Sequence, residues 1–306
     1  MNRACLAYLG PPGTFSEAAA LRYVYEYYGE PAASPGIGET ANLLPCPTIP
    51  DTLGAFIQGH ATEALVPLEN ALEGSVPLVL NALLAETRLW LRGEVVLPIE
   101  HCLMGLPGAR IDEVAVVASY PHALAQCRRF LRDMVPHAKV EEASSTAAGA
   151  ALVAARGDRR LAAIAPARAA EIYHLEILAR GIEDEKNNAT RFVAVGWEDR
   201  SPSPQGKDKT SLILLPESDR PGLLYDLLGE FAKRRINLTR IESRPARRRL
   251  GEYNFFIDCE GHRLLAPLSE AIAALSTQEV RVRVLGSYPA WPSAAGAVPL
   301  AGGGGE

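Results

Sequence analysis

The stretch Ala4-Cys5-Leu6-Ala7-Tyr8-Leu9-Gly10-Pro11-Pro12-Gly13-Thr14-Phe15-Ser16-Glu17-Ala18-Ala19-Ala20 decides how the chain is read. Residues 4–9 form a short strand pattern. Glycines and prolines then punctuate a turn, and Thr14 or Ser16 can cap a helix beginning with Glu17. Gly10 and Gly13 are not a phosphate loop: the Gly-Lys-Ser/Thr ending is absent, as is the three-glycine dinucleotide pattern. A strand, a small-residue turn and a helix N-terminus make a geometry that suits an anion, although it is common in α/β proteins.

The same unit recurs downstream. Ala64-Leu65-Val66-Pro67 reads as a buried strand running into Leu68-Glu69-Asn70-Ala71-Leu72-Glu73-Gly74-Ser75-Val76, with a helix through Val79–Leu84. Val114–Ala118 is a third strand, ending at Ser119-Tyr120-Pro121-His122 before a helix. There Cys127, Phe130, Leu131 and Met134 share one face at i, i+3, i+4 and i+7. Val140 with Glu141 and Glu142 leads to Ser144-Ser145-Thr146, which can cap an alanine-rich helix to Ala155. Leu161–Ala165 precedes Pro166 and a helix through Tyr173. Strands alternating with helices mean an α/β fold with largely parallel sheets, in which ligands bind at the carboxyl ends of strands near helix N-termini. Between these units, Glu30–Pro50 reads as a long loop, followed by a helix near Asp51–Gln58 with Asp51 as cap. Leu89–Leu97 reads as an extended crossing segment, so a two-lobed, binding-protein-like arrangement is expected. His101 next to Cys102 reads as a packed strand residue with a catalytic alternative; His60 and His262 read as surface residues.

Asn187-Asn188-Ala189-Thr190-Arg191-Phe192 follows the acidic Glu183-Asp184-Glu185 and precedes the short strand Val193–Val195. Two amides, a hydroxyl and a guanidinium can hold a small anion, and a capped turn is the alternative.

The 306 residues suffice for two domains, and 48% hydrophobic with 22% charged residues is ordinary for a globular protein. A formal net charge of −5 gives no global attraction to nucleic acid or an anionic membrane, and neither is expected as a partner. The five cysteines are scattered, so no metal or redox pair is spaced for use, and reduced thiols in a cytoplasmic protein are expected. No apolar run approaches the ~20 residues of a membrane helix.

Glu198–Asp208 is a linker by composition. Beyond it, a strand at Thr210–Leu215, an amphipathic helix with Leu224, Leu227, Leu228 and Phe231, and a strand at Ile236–Ser243 follow in turn. A strand at Gly251–Cys259 then places Tyr253, Phe255 and Ile257 on one face. A helix near Leu264–Leu275 and a strand at Val280–Leu285 complete β-α-β-β-α-β, the ferredoxin-like order. The tail from Ser287, with four consecutive glycines at 302–305 before Glu306, reads as disordered.

Taken in order, Tyr8–Ser16, Val66–Asn70, Ser145-Thr146-Ala147 and Asn188–Phe192 resemble prephenate dehydratase, and the C-terminal unit resembles its regulatory ACT domain. Pro221-Gly222-Leu223-Leu224-Tyr225 and Glu242-Ser243-Arg244-Pro245 resemble the two phenylalanine-binding motifs. The match spans roughly residues 4–286.

The resemblance implies a two-lobed, periplasmic-binding-protein-like catalytic domain over residues 1–197, a linker at 198–208, an ACT domain at 209–286 and a disordered tail at 287–306. It implies decarboxylating dehydration of prephenate to phenylpyruvate, feedback regulation by phenylalanine, a homodimer or homotetramer, and no cofactor or metal. Thr190, Arg191, Glu69 and Asn70 are the implied catalytic residues. Thr14, Phe15, Ser16, Ser119, Ser145, Thr146, Asn188 and Phe192 would bind substrate, Phe192 by packing. Gly222, Leu223, Leu224, Tyr225, Asn237, Leu238, Glu242, Ser243, Arg244 and Pro245 would hold the effector. Thr190 would act as a hydrogen-bond donor or relay, and Glu69, if buried and protonated, as proton source.

The chain also departs from the family pattern. Ala71 stands where the family usually has Ser, and Tyr120 where it often has His; both bear on substrate preference. Leu223 stands where the effector motif usually has Ala, which bears on effector preference or potency. The rivals are arogenate dehydratase and a non-catalytic, amino-acid-responsive binding protein. A nicotinamide dehydrogenase is disfavoured by the missing glycine fingerprint.

Overall fold

The structure, a computed structural model, describes residues 4–29, 41–246, 249 and 251–292. It divides into two compact units, Met1–Thr87 with Val95–Gly196, and Arg88–Glu94 with Trp197–Glu306.

The first unit opens with β1 (Ala4–Leu9), α1 (Phe15–Tyr28), β2 (Ala41–Cys46), α2 (Ile49–Ile57), β3 (Glu63–Asn70), β4 (Gly74–Ser75), α3 (Pro77–Ala85) and the latter part of β5 (Trp90–Pro98), whose residues up to Glu94 belong to the second unit. It continues with β6 (Cys102–Gly105), β7 (Val116–Ser119), α4 (Pro121–Gln126), α5 (Arg128–Met134), β8 (Lys139–Glu142), α6 (Thr146–Arg156), β9 (Leu161–Ala165), α7 (Ala167–Tyr173) and β10 (Glu176–Ala179), and closes with β11 (Ala189–Gly196). Two sheets result, ordered β2-β1-β3-β11-β5 (with β4 on β3) and β10-β6-β9-β7-β8. These are the two expected lobes. The sheets are mixed: β1 pairs β2 and β3 in parallel, but β11 returns antiparallel to β3. In the second lobe, period-two alternation sends Cys102, Met104, Ala163 and Ala165 into a core with α6 and α7. Leu103, Ala162 and Ile164 face a second core with α4 and α5.

Several expectations are corrected. Of the loop expected at 30–50, residues 30–40 lie outside the described residues and Ala41–Cys46 is a strand in register with Ala4–Leu9. Pro45 concealed it; β2 is the sheet edge, where a missing N–H is tolerated. Thr48, not Asp51, caps α2: its Oγ1 accepts the Asp51 N–H at 3.1 Å and donates to the Asp51 carboxylate at 2.6 Å. The helix expected around Cys127 breaks at that residue into α4 and α5, and Met134, at the end, is exposed.

The second unit has β12 (Asp208–Pro216), α8 (Leu223–Lys233), β13 (Leu238–Pro245), β14 (Tyr253–Glu260), α9 (Leu268–Leu275) and β15 (Val280–Pro289), in sheet order β13-β14-β12-β15. All neighbours are antiparallel, as the ferredoxin-like order requires. Leu212, Leu214, Phe255, Ile257 and Cys259 pack beneath Leu227, Phe231, Leu268 and Leu275. Tyr253, expected on that face, is exposed at the strand start.

His262, expected at the surface, is buried; Nε2 meets the Arg200 carbonyl at 3.1 Å and Nδ1 accepts the Leu264 N–H at 3.2 Å. The tail expected to be disordered from 287 instead continues β15 through Pro289, with Ser287 and Tyr288 buried. Hydroxyl pairing explains this: Ser287 bonds Thr210 at 2.8 Å, and Tyr288 bonds Ser211 at 2.6 Å. Residues 293–306 lie outside the described residues. Arg88–Glu94 joins this unit for a local reason. Glu94 is fully buried and holds Lys209 Nζ at 2.7 and 2.9 Å and the Trp291 N–H at 2.9 Å.

Candidate active site

The β3–β11 ladder places four of the expected residues. Thr190 sits opposite Asn70 and Arg191 opposite Glu69. Successive strand residues face opposite sides, so the register separates them into two pairs. On one face Asn70 Nδ2 donates to Thr190 Oγ1 at 2.9 Å and to Asn188 Oδ1 at 2.8 Å. On the other, Arg191 Nη1 lies 3.9 Å from Glu69 Oε2, with the side chains 7% and 33% exposed. Beyond Arg191 the register shifts, and Phe192 opposes Pro67 and is buried. Glu69 is therefore not the enclosed carboxyl group that the proton-source reading required: it is one-third exposed and faces a guanidinium.

The Asn70 face extends across the unit. Asn70 Oδ1 accepts the N–H groups of Leu72 at 2.9 Å and Glu73 at 3.0 Å, an Asx-type turn that fixes the amide orientation. Asn188 is buried, and its Nδ2 donates to Gln126 Oε1 at 3.3 Å. Gln126 Oε1 meets His101 Nε2 at 3.0 Å. His101 is 2% exposed, lies edge-on to Phe15 with ring centroids 5.4 Å apart, and gives its backbone N–H to Glu183 at 2.9 Å. Backbone bonds hold these groups in place: Ile99 N–H to Asn188 O, Ile182 N–H to His101 O, and Asp184 N–H to Gln126 O. Gln126 was missed from the sequence; it lies at the C-terminal end of a six-residue helix, with no motif around it. Burial pushes the His101 pKa below its ordinary value of 6.5, outweighing the opposing effects of Gln126 and Glu183.

A second group of expected residues builds the loop and helix ends. Thr14 caps α1: its Oγ1 accepts the Glu17 N–H at 3.3 Å and donates to Pro11 O at 3.0 Å. Gly13 has φ +88°, and a Cβ there would lie 3.3 Å from Tyr173 and 3.4 Å from Ala147. The loop of the first lobe thus lies directly against the first turn of α6 and against α7. Ser145 caps α6 by accepting the Ala148 N–H at 2.9 Å, and Thr146 is the first residue of that helix. Gly149 brings α6 onto β7, since a Cβ there would lie 2.7 Å from the Ala118 carbonyl oxygen. Ser119 is wholly buried and donates to Ile164 O at 2.5 Å, so its hydroxyl closes a strand end. Ser16 is buried within α1. The expected donors thus fall into an amide–hydroxyl network around Thr190 and a set of caps at α1 and α6.

In the second unit, Gly222 has φ +82° and starts α8. Leu223 is buried, Leu224 packs against the core and Tyr225 is 81% exposed. A cavity of about 30 Å³ lies beside Leu223, lined by Pro216, Ser218, Asp219, Glu252, Tyr253 and Phe255. Along β13, burial alternates: Leu238, Glu242 and Arg244 are half-buried, whereas Ser243 and Pro245 are exposed. Arg240 pairs with Glu242, and Arg244 lies 3.7 Å from it. Asn237 donates to Glu260 at 3.0 Å.

Fold and site define a two-lobed α/β protein with a neutral hydrogen-bonding site and an appended βαββαβ unit. The prephenate dehydratase family model matches residues 6–200, and the ACT domain model matches residues 213–277. A prephenate dehydratase of Mycobacterium sp. (strain JLS) is 44% identical over 299 residues, 96% of this chain and 91% of that protein. A crystal structure of prephenate dehydratase from Arthrobacter aurescens in complex with L-Phe superposes with TM-score 0.80 at 35% identity, covering 94% of this chain and 90% of that one. A structure described as GqqA, a novel type of quorum quenching acylase, superposes with TM-score 0.79 at 33% identity, covering 94% and 98%. The chain belongs to the prephenate dehydratase family.

Proposed function

We propose that this chain converts prephenate to phenylpyruvate, carbon dioxide and water, with L-phenylalanine as feedback effector. The observation that carries the reading is the Thr190 hydroxyl, which accepts a hydrogen bond from Asn70 and so has its own hydrogen to give. In the reaction the ring–carboxylate bond breaks, its electron pair enters the ring, and the ring carbon–hydroxyl bond breaks in turn. The departing oxygen takes up a proton and leaves as water. Aromatisation drives the step, so the chemistry requires neither an electron acceptor nor a separate base. Thr190 donates to the leaving oxygen as charge develops on it. The N-termini of α1 and α6 favour the substrate carboxylates. Arg191, paired with Glu69 on the opposite face of the ladder, fixes the strand from which Thr190 projects. Residues 1–197 would then supply catalysis and 209–286 regulation.

The acylase description of a structural neighbour supports a second reading less well. Hydroxyl attack on an amide needs a base on the hydroxyl, whereas Asn70 donates to Thr190. Regulation by a paired unit fits the effector region: the cavity of about 30 Å³ beside Leu223 adjoins an open groove of about 880 Å³ over Leu223, Tyr225 and Leu228 that a second unit can cover. A homodimer or homotetramer would complete it. The five thiols form no disulfide, which suits a reducing cytoplasm. Among the described residues, no helix is long and apolar enough to cross a membrane.

The test is product formation from prephenate, and separately from arogenate, with and without phenylalanine. Phenylpyruvate formation that phenylalanine suppresses supports the reading. Conversion of arogenate alone transfers the activity to that substrate, and no conversion of either leaves a non-catalytic binding protein.

A further inference from the structure

The amides between Thr190 and His101 carry a single hydrogen-bond direction. Backbone N–H groups only donate, so Leu72 and Glu73 hold the Asn70 oxygen and turn Asn70 Nδ2 toward Asn188 and Thr190. Asn188 must accept through Oδ1, which leaves its Nδ2 to donate to Gln126 Oε1. That same oxygen meets His101 Nε2 at 3.0 Å, and an oxygen cannot donate to it. Nε2 of His101 therefore carries the hydrogen.

The far end of the chain is closed as firmly as the near end. His101 is buried beside Phe15, and its Nδ1 is enclosed without a hydrogen-bond partner among the described residues. A hydrogen on Nδ1 would be a buried donor with no acceptor, a costly state. The neutral Nε2–H tautomer satisfies Nε2 and leaves Nδ1 as a bare acceptor, a cheaper buried state than an N–H with nothing to receive it.

We propose that His101 is a positioning residue for the dehydration: its Nε2–H fixes the Gln126 oxygen, which holds Asn188 and, through it, the Asn70 donor against Thr190. Without this clamp Gln126 is free to turn, and Asn188 is held from the Asn70 side alone. A flipped Asn188 turns its NH₂ toward that of Asn70, and the repulsion moves Asn70 off the Thr190 oxygen. His101 makes no contact with substrate in this scheme. Its kinetic consequence rests on the dehydratase reading; its tautomer does not.

The experiment compares His101→Gln with His101→Met in the full chain. Both side chains are unbranched and equally long, and both lose the ring contact with Phe15. Only Gln places an N–H at the end of the path from Cβ to Nε2. The Gln variant keeps kcat within about threefold of the parent, whereas the Met variant loses about tenfold in kcat with KM within about twofold. Equal losses in the two variants make His101 a packing residue and overturn the proposal. ¹⁵N-edited NMR of the imidazole, at pH 7.5 on the parent protein, reads the tautomer without reference to turnover. Protonated Nε2 with bare Nδ1 is expected, and protonated Nδ1 or an imidazolium overturns the proposal even if neither variant folds. Should the parent fail to convert prephenate, the functional reading falls while the NMR result still decides the tautomer.

Discussion

The two faces of the β3–β11 ladder are built from adjacent residues and work differently. One face carries Thr190 and Asn70 in a line of neutral amides and a neutral imidazole, every partner of fixed direction. The other carries Arg191 and Glu69, a charge pair at 3.9 Å that is partly open to water. Neutral groups in a buried line set which atom donates and which accepts, and they tolerate little error. An ion pair tolerates displacement but is weakened by solvent and specifies no hydrogen-bond polarity. Chemistry that requires one hydroxyl to donate in one direction belongs on the first face; anchoring the strand belongs on the second.

That contrast can be broken most sharply at Asn70. Asn70→Asp keeps the shape but replaces the donor with an acceptor, so the Thr190 hydrogen turns inward. A fall of about a hundredfold in kcat with little change in KM is expected from steady-state kinetics, the order of losing one directed donor at a reacting oxygen. A change of less than tenfold would place the chemistry elsewhere. Glu69→Gln should do much less. It weakens the pairing of a buried guanidinium by about 1 kcal/mol, read as a lower urea midpoint, and lowers turnover less than about tenfold. A loss as large as that at Asn70 would restore Glu69 as the proton source.

The smallest effect is the dependence of stability on pH. The unfolded chain protonates His101 near 6.5, and the folded chain only at lower pH, because burial disfavours the imidazolium. Stability is therefore complete above about 6.5 and declines as pH falls below it. Burial alone would raise the Glu183 carboxyl, but it is held below 4.5 by the His101 N–H, its own N–H and Lys186. Its contribution is present above 4.5 and is lost as pH falls through the folded value. Urea midpoints from pH 8 to 4 should show the first decline and the onset of the second, and His101→Met should remove only the upper one.

Much of the fold was legible because strand, turn and helix alternate with caps at the joints. Thr14 and Ser145 cap the helices expected of them. β2 was hidden by Pro45, whose cost vanishes at a sheet edge, and the start of the tail by hydroxyl pairs that no local pattern announces. The residues of the site were largely named from sequence, but not their division. Period two along Val66–Asn70 shows that Glu69 and Asn70 cannot share a face, a signal that was available. The bond between Asn70 and Thr190 spans 120 residues, and Gln126 joins the network only through folding.

The measurement that goes most directly to the directed hydroxyl is kcat for Thr190→Val beside Thr190→Ser. Val has the shape of Thr without the hydroxyl, and Ser keeps the hydroxyl without the methyl. The network predicts that Ser retains turnover within about tenfold and that Val loses on the order of a thousandfold, with both variants folded. A Val variant that turns over prephenate as fast as the Ser variant would show that the Thr190 hydrogen is not what the departing oxygen receives.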